Sequence, residues 1–306
     1  MLTRSHTVMS RASYAALVQR WWPGSMLVNI EQLQGGVSAD VSRLDLKQAS
    51  GSNLSVVLRA HGESHSGHTV QTEFDLLDAL LAKGLPVAQP LAVDDSKSLL
   101  PNDYLVLTFI GGSSLIESPD RAAYIEGAAE MLAQIHETPV EGLPELPARR
   151  EPLPEAFDYW PQGPEWEELK TNLQQASFAP FSGKTVLCHG DFWPENILWQ
   201  EGRITGVLDW EDAALGDPLS DLACSRLEFR YRFGISGMQQ FTEAYAAKRP
   251  FEVERLALWQ VYVASAAQYF MSEWELPADQ EAHMLKTALQ AIREAEETLT
   301  CGAPLI

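Results

Sequence analysis

A short polar loop between two apolar runs constrains this chain more than any other stretch. Residues 186–188 are apolar, a His-Gly-Asp triplet follows at 189–191, and Asn196 precedes a second apolar run at 197–199. Apolar runs bounded by turn residues predict two strands joined by a loop. The pattern therefore places a carboxylate, Asp191, and an amide, Asn196, in one loop between two strands.

A second carboxylate follows at the end of the next predicted strand, where Asp209 comes directly after Gly-Val-Leu at 206–208. Two carboxylates and one amide that converge suit phosphoryl transfer. One Asp orients the attacking hydroxyl and accepts its proton, while Asn and the other Asp hold Mg²⁺ on the phosphates. A plainer interpretation stays open, because Asp and Asn are also common turn residues that bond their own backbone.

The spacing His-x-Asp-x-x-x-x-Asn is that of the protein-kinase catalytic loop. Gly190 stands where kinases have Arg, and Leu-Asp-Trp-Glu at 208–211 replaces the kinase metal-binding triplet. On these motifs the chain resembles the aminoglycoside phosphotransferase and choline kinase family, over about residues 30–223 and most strongly over 189–221. The resemblance implies a two-lobed, protein-kinase-like α+β fold. Its small lobe would hold a five-stranded, mainly antiparallel sheet and a helix, and its large lobe would be mainly helical.

The same resemblance implies an ATP-dependent phosphotransferase that acts on a hydroxyl of a small molecule, with ATP and Mg²⁺ as cofactors. Asp191 is the expected catalytic base, and Asn196 and Asp209 are the expected metal ligands. His189 and Asp221 are expected to hold the catalytic loop in position without contacting the substrate.

The expected nucleotide-binding residues precede this loop. Alternating runs on both sides of a Gly-Gly pair predict a hairpin, and the resemblance implies that its loop covers the nucleotide. The predicted loop residues are Gly35, Gly36, Val37 and Ser38. By the same resemblance, adenine binds to the backbone of a hinge that comprises Thr108, Phe109 and Ile110.

Arg59 ends the third predicted strand, where kinases have the lysine that contacts the α- and β-phosphates. An arginine there departs from the kinase pattern, and an exposed arginine at a strand end is the alternative. Glu73 shares a stripe with Leu77 and Leu80 on a predicted helix, so it is expected to point at the sheet and pair with Arg59. Three nearby histidines are expected to be solvated loop residues: His61, His65 and His68.

Two other functions compete with an active kinase. A nucleotide-binding pseudokinase with a regulatory or scaffolding role is favoured by Arg59 and by the degenerate glycine loop, while the set of Asp191, Asn196 and Asp209 argues against it. A metal-dependent hydrolase built on His189, Asp191 and Asp209 lacks a further His or carboxylate cluster at metal-ligand spacing in the sequence. Formation of ADP that depends on an added alcohol separates the three.

Composition bounds the organisation of the chain. With 306 residues and 45% hydrophobic content, it can bury a large core in two lobes. We predict a nucleotide-binding lobe at 1–110 and a catalytic and acceptor-binding lobe at 111–306. No run approaches the ~20 apolar residues needed to span a bilayer, and the N-terminal residues lack an apolar signal core, so a cytoplasmic protein is expected.

The charge of the chain is concentrated in its second part. Residues 1–110 hold 8 basic and 10 acidic residues, and residues 111–306 hold 14 and 32, so the net charges are −2 and −18. This field disfavours nucleic acids and anionic membranes as partners and favours a cationic or amine-bearing alcohol as acceptor. Carboxylates on solvated helix faces are the alternative explanation. No obligatory protein partner is indicated.

Overall fold

The computed structural model describes residues 9–33, 39–62, 65, 67–114 and 121–305. The chain divides into two compact units. The first comprises Met1–Gly112, Gly142–Glu145 and Thr205–Glu211, and the second comprises Ser113–Glu141, Leu146–Ile204 and Asp212–Ile306. The assignment of nucleotide binding to residues 1–110 and of catalysis to residues 111–306 remains a prediction.

The first unit contains a five-stranded sheet in which all neighbouring strands are antiparallel. Its strands are Met26–Gln32 (β1), Ala39–Lys47 (β2), Asn53–His61 (β3), Pro90–Asp94 (β4) and Tyr104–Thr108 (β5). The spatial order is β1-β2-β3-β5-β4, so β3 lies in the middle of the sheet. The predicted five-stranded antiparallel sheet is confirmed.

Two helices belong to the first unit. Helix α1, Arg11–Trp21, begins after Ser10, whose hydroxyl accepts the Ser13 amide, and its residues Leu17 and Val18 join the core of the sheet. Helix α2, Val70–Ala82, is capped in the same way by Thr69. Such caps satisfy backbone amides that have no partner within the helix. The predicted helix that carries Glu73 is thereby formed.

The second unit is mainly helical, as predicted. Its helices are Arg121–Glu137 (α3), Pro164–Gln175 (α4), Leu219–Lys248 (α5), Val253–Phe270 (α6) and Ala278–Cys301 (α7). The remaining strands of the chain are Ala148–Arg149 (β6), Val186–Cys188 (β7), Ile197–Gln200 (β8), Arg203–Val207 (β9) and Ala214–Gly216 (β10). They form a three-stranded sheet in the order β6-β10-β7 and a two-stranded sheet of β8 and β9.

Small residues allow the last helices to pack closely. The buried faces of α6 and α7 meet in one apolar cluster that includes Ala257, Ala264, Ala291 and Ala295. Short side chains let two helix backbones approach, and the buried apolar area stabilises the unit. Among the described residues, no helix is both long and apolar enough to cross a membrane.

Candidate active site

The loop between β7 and β8 brings the predicted base and the predicted amide together within the second unit. The side-chain nitrogen of Asn196 donates to the backbone oxygen of Asp191 at 2.9 Å and to its carboxylate Oδ2 at 3.1 Å. A short 3-10 turn, Pro194–Asn196, closes the loop before β8 begins. Both hydrogen bonds use the amide nitrogen, so the oxygen of Asn196 is the atom it would offer to a cation.

The geometry of the loop explains why glycine replaces the kinase arginine at position 190. Gly190 has φ of +91°, a conformation that side chains other than glycine rarely adopt. A Cβ atom there would lie 2.1 Å from the backbone oxygen of Asp212, well inside van der Waals contact. The backbones of residues 190 and 212 therefore approach each other too closely for any other residue.

Asp221, near the start of α5, holds the catalytic loop through hydrogen bonds to its backbone. Its carboxylate is fully buried and accepts the backbone amides of His189 at 2.6 Å and Gly190 at 3.0 Å. Burial alone would raise the pKa of Asp221, but its contact with His136 and nearby positive charges outweigh burial and hold the pKa below its ordinary value. An ionised carboxylate thus accepts both amides as charge-assisted hydrogen bonds.

Sequence reasoning missed His136, a buried residue of α3. Its Nε2 lies 3.1 Å from Oδ2 of Asp221, and its Nδ1 lies 2.7 Å from the hydroxyl of Tyr245. A proton on Nε2 satisfies both contacts, because Nε2 then donates to the carboxylate and Nδ1 accepts from the tyrosine. The one available signal was a histidine on the apolar stripe of a helix.

His189 contacts the catalytic loop from within it. Its side chain is fully buried, Nδ1 accepts the backbone amide of Asp191 at 3.2 Å, and its ring packs edge-on against Phe192. These contacts fix the backbone on either side of Asp191. They are compatible with the supporting role predicted for His189, which remains a prediction.

Arg59 and Glu73 form an ion pair within the first unit, with Arg59 7% and Glu73 2% exposed. Arg59 also contacts two carboxylates of the 205–211 segment: Nη2 lies 2.9 Å from Oδ1 of Asp209 and contacts Glu211. Burial works to lower the pKa of Arg59, but the three carboxylates outweigh it and hold the pKa above its ordinary value. The predicted pair is therefore part of a larger network.

The expectation of solvated loop histidines is wrong for His61 and His65. His61 is the last residue of β3, is 8% exposed, and its Nε2 lies 3.1 Å from Oε2 of Glu73. His65 stacks on His61 with ring centroids 3.6 Å apart. The physical reason is a strand that extends further than its local pattern suggests, since His61 pairs with Ala39 across the sheet.

Asp209 has an unusual backbone conformation, with φ of +60°. Residues other than glycine rarely adopt positive φ, and such strain is concentrated at functional positions. The neighbouring Trp210 is 1% exposed and donates from Nε1 to the backbone oxygen of Val207 at 3.1 Å, which anchors the turn. The predicted metal ligand is thus held in a fixed, strained turn next to Arg59.

The other predicted nucleotide-binding residues are placed in part. Thr108 ends β5, where its hydroxyl accepts the Gln89 amide at 2.9 Å, and the Phe109 amide donates to Ser55. Ile110 is partly exposed beyond the strand. The predicted glycine loop lies outside the described residues: Gly35, Gly36, Val37 and Ser38.

The chemistry of the predicted ligand set fits Mg²⁺ and a nucleotide. Asp209 and Asn196 offer carboxylate and amide oxygens, which are the donors that a hard divalent cation takes. A polyphosphate would bring the remaining oxygen ligands. The metal-ligand and catalytic roles of these residues remain predictions.

Comparisons with known proteins agree with this chemistry. Residues 29–259 match the model of the phosphotransferase enzyme family. Aminoglycoside 3'-phosphotransferase of Streptomyces fradiae is 29% identical over 64% of this chain and 80% of its own length. Viomycin phosphotransferase of Streptomyces vinaceus is 29% identical over 49% of this chain and 59% of its own. Acyl-CoA dehydrogenase family member 11 of Mus musculus is also 29% identical, over 51% of this chain, but the match spans only 22% of that protein.

Solved structures share the fold. A candidate aminoglycoside phosphotransferase from Ralstonia eutropha superposes with a TM-score of 0.69 at 18% identity and covers 95% of this chain and 98% of its own. A thermostable mutant of aminoglycoside phosphotransferase APH(4)-Ia, solved with AMP-PNP and hygromycin B, gives 0.64 at 16% identity and covers 92% and 98%. With the family match over residues 29–259, these findings show that the chain belongs to the phosphotransferase enzyme family and is a small-molecule kinase with a protein-kinase-like α+β fold.

Proposed function

We propose that this kinase transfers the γ-phosphate of Mg²⁺-ATP to a hydroxyl group of an amine-bearing small molecule. ATP as donor is supported by the AMP-PNP complex of a protein with the same fold. A small-molecule acceptor is supported by the aminoglycoside and viomycin phosphotransferases, which match 64% and 49% of this chain at 29% identity.

In this proposal the residues of the catalytic loop divide the work. Asp191 orients the acceptor hydroxyl and takes its proton, and the hydrogen bond from Asn196 to Oδ2 holds the Asp191 carboxylate for that task. Asn196 and Asp209 would hold Mg²⁺, which neutralises charge on the phosphates when bound. Asp221 keeps the loop in shape through the backbone amides of His189 and Gly190.

Acidic residues beside Asp191 are the observation that supports an amine-bearing acceptor. Helix α5 contacts the catalytic loop, since the hydroxyl of Ser225 donates to the backbone oxygen of Phe192 at 2.7 Å. Glu228 lies one turn further along α5, where burial, followed by the charges of Asp191 and Glu195, raises its pKa to about 8. Glu228 is therefore largely protonated at neutral pH, and a cation bound beside Asp191 would favour its ionised form. An ammonium group on the acceptor supplies that cation.

Arg232 offsets part of this negative charge. Burial raises the pKa of Glu195, and the positive charge of Arg232 acts to lower it. The negative field at Glu195 is therefore weaker than a count of carboxylates suggests. The negative charges of Asp191 and Glu195 both act to raise the pKa of Glu228. The ammonium group of the acceptor is therefore expected near Asp191 and Glu228.

Matched acceptors test the proposal. Glucosamine and glucose share one sugar ring and differ by an amine at one carbon, so their kcat/KM values with Mg²⁺-ATP isolate the effect of the positive charge. We expect a preference for the amine that shrinks as added salt shortens the Debye length to about 8 Å and below. Equal kcat/KM values that do not respond to salt would rule out an amine-bearing acceptor and leave the kinase assignment intact.

A nucleotide-binding pseudokinase is the second candidate. One observation favours it, namely that Arg59 is engaged by three carboxylates, which would have to yield if Arg59 were to contact phosphates. Tight ATP binding without ADP formation, whether or not an acceptor is present, would support this alternative.

A further inference from the structure

Five side chains of the first unit form a closed ring of contacts around Arg59. Glu73 contacts one terminal nitrogen of Arg59 and Nε2 of His61, and Glu211 contacts the other terminal nitrogen of Arg59 and lies 3.4 Å from Nδ1 of His65. The stacked rings of His61 and His65 close the ring. Each glutamate therefore joins the guanidinium to one histidine.

Asp209 contacts this ring at Nη2 of Arg59. The same nitrogen contacts Glu211, so Asp209 and Glu211 share one arm of the guanidinium. An arginine fork can serve carboxylates on both of its arms, whereas a lysine presents a single point charge. Here three carboxylates share the one positive charge of Arg59, so Arg59 orients Asp209 without giving it a full counter-charge.

Glu211 is itself held in place by the segment that precedes α2. The backbone amide of His68 donates to the backbone oxygen of Glu211 at 3.2 Å, and His65 Nε2 donates to the backbone oxygen of His68 at 2.7 Å. A Cβ atom on Gly67 would lie 2.7 Å from the backbone oxygen of Glu211, so this segment packs directly on residue 211. Contacts to the backbone of Glu211 and to its side chain thus hold the carboxylate in place.

We propose that Glu211 is a positioning residue for Asp209: it takes a share of the Arg59 guanidinium, so that Arg59 orients Asp209 without neutralising it. This inference rests on the proposed role of Asp209 as a metal ligand. Without Glu211, the shared arm of Arg59 pairs with Asp209 alone and competes with the metal for that carboxylate. Groups that orient a metal ligand from behind are typically worth ten- to a hundredfold in metal affinity.

The test measures Mn²⁺ binding by electron paramagnetic resonance in the full chain with AMP-PNP. We expect Glu211→Gln to weaken Mn²⁺ binding about tenfold, as is typical for a group behind a metal ligand. Arg59→Lys supplies a second background, because a lysine presents a single point charge and removes the arm that Asp209 and Glu211 share. In the Arg59→Lys background, Glu211→Gln should then have little effect. Asp45→Asn is the matched control, since Asp45 pairs with Arg43 and Ser55 and touches no member of the ring.

Each other outcome overturns the inference. Unchanged Mn²⁺ affinity in Glu211→Gln, with a lowered melting temperature, would make Glu211 merely structural. An equal loss in both backgrounds would make Glu211 a metal ligand, and an Arg59→Lys variant that does not bind Mn²⁺ would make Arg59 indispensable. Failure of the wild type itself to bind Mn²⁺ with AMP-PNP would instead overturn the proposed function.

Discussion

The carboxylate of Asp221 accepts the backbone amide of His189 at 2.6 Å, and both side chains are fully buried. A charge at the start of a helix thereby sets the backbone of a loop 32 positions earlier in the chain. Since Asp191 lies in that loop, its position depends on a residue that touches no substrate.

Asp221→Asn should lower kcat. An amide side chain has one oxygen acceptor in place of two, so one of the two backbone amides loses its partner and the loop can shift. A misplacement of about 1 Å can cost about a hundredfold in rate, and a buried donor without a partner costs about 1–3 kcal/mol of stability. Steady-state kinetics and urea unfolding measure the two effects. A variant with unchanged kcat would show that the loop holds its shape without Asp221.

Gly190→Ala and Gly202→Ala form a matched pair. Both glycines have positive φ, +91° and +75°, but a Cβ at Gly190 meets the backbone of Asp212 while a Cβ at Gly202 meets nothing within 4 Å. Gly202→Ala should cost about 1–2 kcal/mol of unfolding free energy from backbone strain alone. Gly190→Ala should cost clearly more and reduce kcat. Urea denaturation curves compare the two, and equal costs would contradict the close approach at residue 190.

Asp209→Ala should abolish the Mg²⁺-dependent part of ATP binding, whereas Asp217→Ala should not. Asp217 has structural partners, because its carboxylate accepts from Leu219, from Arg255 at 2.7 Å and from Trp259 at 2.7 Å. We therefore expect Asp217→Ala to lower the melting temperature and keep the response to Mg²⁺. ATP titrations with and without Mg²⁺ decide this, and equal losses in two folded variants would argue against Asp209 as a metal ligand.

Glu228 should make stability depend on pH. Its folded-state pKa of about 8 exceeds the unfolded value of about 4.3, so the folded protein binds more protons between these values. The stabilisation is fully present below pH 4.3, declines as pH rises, and is lost above pH 8. Glu228→Gln should remove this decline, which amounts to at most about 1.4 kcal/mol per pH unit. Parallel pH profiles of unfolding free energy for the two proteins would contradict the raised pKa.

The sequence predicted those features that depend on local spacing. The catalytic loop followed from a motif of eight positions, and the pairing of Glu73 with Arg59 followed from the stripe that Glu73 shares with Leu77 and Leu80. The alternating runs on both sides of the glycine pair predicted antiparallel strands, and the family resemblance implied the five-stranded sheet. In each case a residue's neighbours along the chain determine which way its side chain points.

Features that depend on distant pairing could not be predicted. His136 meets Asp221 across 85 positions, and Glu211 meets Arg59 across 152, and neither partner can be identified from the local pattern. His61 was expected to lie in a loop, because the residue that extends its strand by pairing with it is Ala39, in the separate strand β2. Contacts of this kind are fixed by tertiary packing, which a single sequence does not display.

The central claim is phosphoryl transfer to an alcohol with Asp191 as the general base. The most direct test is to quantify ADP and phosphorylated alcohol by ³¹P nuclear magnetic resonance, with Mg²⁺-ATP and a panel of amino alcohols. The wild type should form both products in equal amounts, and only when an acceptor is present. Asp191→Asn should bind ATP as tightly and turn over about 10²–10⁴-fold more slowly, the usual contribution of a positioned general base. Wild-type turnover in folded Asp191→Asn, or ADP without phosphorylated alcohol in the wild type, would contradict the account.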